Sequence, residues 1–246
     1  MSTEALARIR IVLVRPSHPG NIGASARALK TMGLARLVLV RPDRFPHPEA
    51  RSLASNALQV LEQASVCASL EQALSGTTVA IAMSARAREL SHPVLDARAA
   101  AQQAYAAAQR AEVALVFGRE GSGLDNDEVM KCNRLAAIPA DPDYPSLNLA
   151  AAVQIMAYEI RRAASHATRA DRAETAAASF EQVEEFFGHL ERSLRLSGYL
   201  HPRYPRRLMQ RLRRLFGRAR LEDAEVNFLR GMLVAWDEKS RAAGKK

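Results

Sequence analysis

The sequence predicts an α/β fold. A parallel-sheet domain is expected over residues 1–164, a linker over 165–178, and a small all-α domain over 179–246. Three observations carry this reading. Short, continuous apolar runs rich in β-branched residues alternate with helical patterns through the first part of the chain, as in parallel strands buried on both faces. The stretch 163–178, a mixture of Ala, Arg, Thr, Ser and His, has no steady apolar stripe and reads as a linker or frayed helix. Beyond it, apolar residues recur at helical spacing.

Taken in order, the strand at 9–14 is a β-branched run, and a helix follows at 24–32 with Arg27 and Lys30 on polar positions. Strands are expected at 37–40, 66–68, 77–83, 113–117 and 135–138, and helices at 70–74, 98–110 and 126–132. A long helix at 146–164 starts well, because Ser146 after Pro145 is placed to cap the orphan amides of its first turn. In the C-terminal part, Phe180, Val183, Phe186, Phe187, Leu190 and Leu194 mark one amphipathic helix. Leu208, Leu212, Leu215 and Phe216 mark a second, and Val226, Leu229, Met232, Leu233 and Trp236 a third, with Trp236 expected as a core anchor. General topology rules predict an unknotted, doubly wound sheet for the first domain.

A chain of 246 residues with 48% hydrophobic content buries one core of ordinary size and leaves room for an appendage. No run approaches the ~18 apolar residues of a membrane span. Residues 1–10 lack the basic-then-apolar order of a signal peptide, so a cytoplasmic location without membrane association is expected. Cys67 and Cys132 have no Cys or His partner at metal-ligand spacing and are expected as free buried thiols, with no metal site. The net charge of +9 points to nucleic acid or an anionic surface. It is concentrated late: residues 166–246 carry 17 Lys+Arg against 11 Asp+Glu.

Three motifs stand where apolar runs end. In Gly20-Asn21-Ile22-Gly23 the glycines allow close backbone approach and Asn21 offers donors and an acceptor. The spacing does not complete the G-x-G-x-x-G dinucleotide fingerprint. Gly118-Arg119-Glu120-Gly121-Ser122-Gly123 ends a buried strand, and its exposed backbone groups suit an adenine or ribose. No G-K-[ST] follows, which disfavours a phosphate-cradling P-loop. Glu120 is read either as pairing with Arg119 or Arg27 or as touching substrate. Ile138-Pro139 and Tyr144-Pro145-Ser146-Leu147-Asn148-Leu149 form the third. The histidines make no constellation with Ser, Asp or Cys that suggests nucleophilic catalysis.

In this order and separation, residues 9–160 resemble the SPOUT-class, TrmH-like RNA 2′-O-methyltransferases. Within that class the 20–23 start, the Ser84-Ala85-Arg86 element and the basic C-terminal helices look most like the TrmJ-type subfamily. The resemblance implies a deep trefoil knot, a homodimer, S-adenosylmethionine as cofactor, and a tRNA substrate methylated on the 2′-hydroxyl of nucleotide 32, cytidine or uridine. It implies cofactor contacts from Met83, Ser84, Ala85, Gly118, Ile138, Pro145, Ser146 and Leu147. Met83 is a departure, since a smaller polar residue is usual there. Catalysis would rest on Arg27 with Asn21, Glu120, Ser146 and Asn148. A ribosomal RNA methyltransferase of the same class, or a non-catalytic RNA-binding or assembly protein, remains open.

A sulfonium methyl donor is already activated and leaves as a neutral thioether, so the protein must chiefly place a ribose oxygen in line. A guanidinium stays protonated. Arg27 is therefore read as a clamp on substrate phosphate and a stabiliser of the developing oxyanion. Arg203, Arg206, Arg207, Arg211, Arg214 and Arg218, with no acid among residues 201–220, are expected to bind RNA, with Leu208, Leu212 and Leu215 turned inward.

Overall fold

The computed structural model describes residues 3–84, 93–166, 177–200 and 207–243. The chain divides into two compact units, Met1–Asp171 and Arg172–Lys246, each with its own apolar core.

The first unit is built on a seven-stranded sheet in which every pairing is parallel. Its strands are β1 (Ile9–Val14), β2 (Arg36–Val40), β3 (Ser65–Cys67), β4 (Thr77–Met83), β5 (Val94–Asp96), β6 (Glu112–Phe117) and β7 (Arg134–Ala137), in the order β3-β2-β1-β6-β4-β7-β5. The central strands β1 and β6 are buried at nearly every position, the physical reason their sequences are continuous rather than alternating. Edge strands β3 and β5 have three residues each, and short edges limit unwanted strand pairing. With Leu95 flanked by an exposed Val94 and Asp96, β5 left no apolar run to read.

Around the sheet lie α1 (Thr3–Ala7), α2 (Pro19–Thr31), α3 (Pro48–Ala54), a 3-10 turn (Ser55–Ala57), α4 (Leu58–Glu62), α5 (Leu70–Leu74), α6 (Ala97–Ala108), α7 (Asn126–Met130) and α8 (Leu149–His166). The first motif is helical, against the expectation of a turn ending before residue 24: Pro19 opens α2, where a proline costs no amide bond. Its glycines serve packing. A Cβ on Gly23 would lie 2.1 Å from the Ala50 carbonyl oxygen, so only glycine lets α2 and α3 touch there. At the opposite end of the sheet Arg10 donates to the carbonyls of Ala73 and Ser75 and pairs with Glu112, which also holds Arg36. Cys132 is buried, whereas Cys67 is only half-buried, because β3 is an edge strand; both are free.

The second unit contains α9 (Phe180–Leu196), α10 (Leu208–Ala219) and α11 (Asp223–Ala243). Ser179 and Gln182 form a reciprocal capping box that starts α9. Phe186, Phe187 and Phe216 meet in tilted and edge-on contacts at 5.0–6.1 Å between centroids. Arg213 stacks over Phe187 at 4.4 Å and pairs with Glu184. Two expectations fail. Leu215 is 50% exposed, because Leu208, Met209, Leu212 and Phe216 already complete the inner stripe of α10. Trp236 and Met232 are exposed rather than core anchors, since Val226, Leu229 and Leu233 form the stripe that α11 turns inward.

Candidate active site

The sheet register brings the C-terminal ends of three strands side by side, with Met83 opposite Phe117 on one neighbour and Ala136 on the other. This edge of a parallel sheet is where ligands are met. A cavity of about 330 Å³ opens there. Met83, Ser84 and Phe117 form its floor, and the glycine loop from Gly118 to Gly123 one wall. Ile138, Pro145, Ser146 and Leu147 form another, closed by Leu149 and Ala152 of α8. Of the expected cofactor residues, Met83, Ser84, Gly118, Ile138, Pro145, Ser146 and Leu147 all line it. Ala85 lies outside the described residues.

The loop is tight for a reason visible in its glycines. A Cβ on Gly118 would stand 2.1 Å from the carbonyl carbon of Gly123, and Gly123 itself has φ +69°, the left-handed region that favours glycine. The Gly123 amide donates to the Arg119 carbonyl at 2.9 Å. Beyond the loop, Asp125 and Glu128 make a capping box that starts α7, and Arg15, just past β1, binds both carboxylates. Burial opposes the charge on Arg15, but the two carboxylates outweigh it and raise its pKa.

Glu120 connects the loop to α2. Its carboxylate accepts from the Ser17 amide (3.0 Å) and hydroxyl (2.9 Å), the His18 amide (3.2 Å) and the Asn21 side-chain amide (2.9 Å). Burial pushes its pKa up, yet these donors prevail and hold the carboxyl at about 2. The expected pairing with Arg119 or Arg27 is not made: the carboxylate's acceptor positions are occupied by the start of α2. Asn21 then accepts from the Asn148 side-chain amide at 3.0 Å. Asn148 accepts from the amides of Ala150 (2.9 Å) and Ala151 (3.2 Å), so Asn148, not Ser146, caps the long helix. The helix starts at Leu149, and Ser146 is left exposed on the cavity wall.

One chain of hydrogen bonds, Ser17–Glu120–Asn21–Asn148, thus joins all three motifs. Arg27 stands apart from it. Six residues after Asn21, it lies about 240° around α2, exposed, and no ion pair to it is found among the described residues. Two contributors escaped the sequence reading. Ser17 supplies two of the bonds to Glu120, and its nearness to the Pro19 helix start was the available signal. Arg119 lines the cavity with its Nε enclosed and without a hydrogen-bond partner.

Among the expected RNA-binding residues, Arg207, Arg211 and Arg218 are exposed and in no ion pair with described residues. Arg214 is half-buried, with its Nε enclosed, which corrects its place on an open arginine face. Arg203 and Arg206 lie outside the described residues. No helix among the described residues is long and apolar enough to cross a membrane, and none of their His, Cys, Asp and Glu side chains group as a metal site.

Residues 8–158 match the SpoU rRNA Methylase family, and residues 181–245 match the tRNA methyltransferase TrmJ, C-terminal domain. The chain is 46% identical to a tRNA (cytidine/uridine/adenosine-2′-O-)-methyltransferase TrmJ of Pseudomonas aeruginosa, over 98% of each chain. It is 45% identical to a tRNA (cytidine/uridine-2′-O-)-methyltransferase TrmJ of Salmonella typhimurium, over 96% of this chain and 99% of that one. The crystal structure of TrmJ from Z. mobilis superposes with a TM-score of 0.81 at 34% identity, covering 92% of this chain and 97% of that one. The protein belongs to the SpoU methylase family, and its C-terminal helices put it on the TrmJ branch.

Proposed function

We propose that this protein transfers a methyl group from S-adenosylmethionine to the ribose 2′-hydroxyl of nucleotide 32 in the tRNA anticodon loop. The observation that carries the reading is the convergence of a cavity and a polar relay. The cavity walls are backbone-rich on one side and apolar on the other, which suits a nucleoside carrying a thioether arm, and its volume lies at the small-ligand end of the usual range. Gly118, Ile138 and Leu147 would hold the nucleoside, with Met83 and Ser84 beneath it. Bound there, the cofactor supplies an activated methyl group.

The protein's own contribution is orientation. Glu120, kept ionised by four donors, fixes the Asn21 amide, and Asn21 fixes Asn148. Ser146 and the Asn pair then offer donors and acceptors to a ribose at the mouth of the cavity. The unpaired Arg27 guanidinium is suited to a substrate phosphate rather than to the cofactor. Cytidine and uridine are the expected bases. The name of the Pseudomonas relative adds adenosine, and a relay that handles ribose groups alone would tolerate it. The working form is read as a cytoplasmic homodimer with a trefoil-knotted first unit.

Incubation with bulk tRNA, ribosomal RNA and S-adenosylmethionine, followed by mass-spectrometric mapping of ribose methylation, tests this. Methylation at tRNA position 32 is expected. Methylation confined to ribosomal RNA, or none at all, would overturn it.

A further inference from the structure

The helical unit leaves a row of large apolar side chains on α11 without cover. Phe228 is 56% exposed, Met232 62% and Trp236 45%. At 100° per residue they lie within about 40° of one line along the helix, away from the Val226 and Leu233 face. Such a row on a soluble protein marks an interaction surface.

The sequence along the row is palindromic in character about Met232. Phe228 lies four residues before it and Trp236 four after; Glu225 lies seven before and Lys239 seven after. Glu225 and Lys239 fall within about 20° of the same line. An antiparallel copy of α11, related by a two-fold axis through Met232, therefore sets Phe228 against Trp236 and Glu225 against Lys239, each pair occurring twice. Lys239 is exposed, and Glu225 uses only Oε2 in its cap to the Glu222 amide. Exposed Gly231 and Ala235 flank Met232 and give a second backbone room to approach.

We propose that α11 is a self-association surface, pairing antiparallel with α11 of a second copy of this chain. A two-fold contact must be self-complementary, and this row is, in both shape and charge. An RNA strand is the poorer fit: α11 carries Asp223, Glu225, Asp237 and Glu238 against Arg230, Lys239 and Arg241, and Arg230 is held by Glu185. Base-stacking surfaces sit instead in a basic groove.

A contact of a few side chains per copy is smaller than interfaces that persist alone, so it is read by trapping. In the full-length chain with Cys67→Ser, the remaining Cys132 is buried, with its thiol pushed up to about 12, and stays silent under mild oxidation. Met232→Cys places identical thiols at the axis. Val234→Cys is the control, 50% exposed in the parent and on the other side of the helix. The covalent dimer is expected to form at least about tenfold faster from Met232→Cys than from Val234→Cys. Adding Lys239→Glu slows it about fivefold, and Glu225→Lys on top restores it. Equal rates from the two cysteines overturn the proposal. So does a Trp236→Ala variant that loses tRNA affinity while the two cysteines cross-link equally, which would hand the row to RNA.

Discussion

In the sheet unit the inward-reaching arginines meet carboxylates: Arg10 and Arg36 share Glu112, and Arg15 holds Asp125 and Glu128. In the helical unit Arg213 and Arg230 do the same with Glu184 and Glu185, but Arg207, Arg211 and Arg218 face solvent with no described acid to meet. The difference separates arginine as a fastener from arginine as a contact. Of the fastened guanidinium groups, Arg15 pins the start of α7 just after the glycine loop, and Arg10 and Arg36 tie the opposite end of the sheet. The free ones add a field that an anionic chain would feel, and salt would screen. By this standard Arg27 is out of place, an exposed guanidinium without an ion pair among the described residues, on a unit where Arg10, Arg15 and Arg36 are engaged.

Replacing Arg27 tests that anomaly with the largest expected effect. Arg27→Ala should lower single-turnover methyl transfer by on the order of 10²–10³-fold, the usual cost of removing one charge-stabilising donor. Affinity for S-adenosylmethionine, measured by calorimetry, should stay within about twofold, because Arg27 does not line the cavity. Near-normal turnover would return Arg27 to the class of idle surface charges and dissolve the comparison at its sharpest point.

The arginines of α10 offer the next effect. Changing Arg207, Arg211 and Arg218 together to Gln should weaken tRNA binding by on the order of tenfold at low salt. The log–log salt slope should flatten by about 2, since each lost phosphate contact removes ~0.7 to ~0.9. Filter binding across a salt series reads both. Arg214 is left out because its half-buried side chain is part of the unit's packing. If the slope matched the parent, the three would be a solvated face and the contrast between the units would be one of composition only.

How much of this was legible in advance follows from what each signal measures. Burial on both faces writes itself into a strand as an unbroken apolar run, so β1, β4 and β6 could be read directly. β5 could not, because three edge residues bury little. The α2 start was misread since glycine usually signals a turn. Here it signals contact, and the reason, the Ala50 carbonyl pressed on Gly23, sits in a helix 27 residues later in the chain. The cavity walls followed from strand ends and family likeness. The partners of Glu120 did not, because adjacency in sequence favoured Arg119, and the Ser17 and His18 amides became visible as donors only once β1 and β6 were neighbours.

The smallest expected effect concerns that relay and distinguishes a structural carboxylate from an idle one. With its folded pKa held at about 2 against the ordinary value of 4.5 for a glutamate, Glu120 contributes stability that is fully present above about pH 4.5. That contribution is lost as pH falls toward about 2, where the folded carboxyl takes up its proton. Glu120→Gln removes this linkage and turns an amide NH₂ toward donors that need an acceptor, so the variant should be less stable than the parent at neutral pH. Urea midpoints of the two proteins should differ by a constant amount from pH 7 down to about 4.5, and the gap should narrow below that. A gap that stays constant to pH 3 would mean that the four donors bind an oxygen and not a charge. The relay would then hold its part of the site by hydrogen-bond geometry, with the Arg15 pairs to Asp125 and Glu128 as the charge contacts beside the glycine loop.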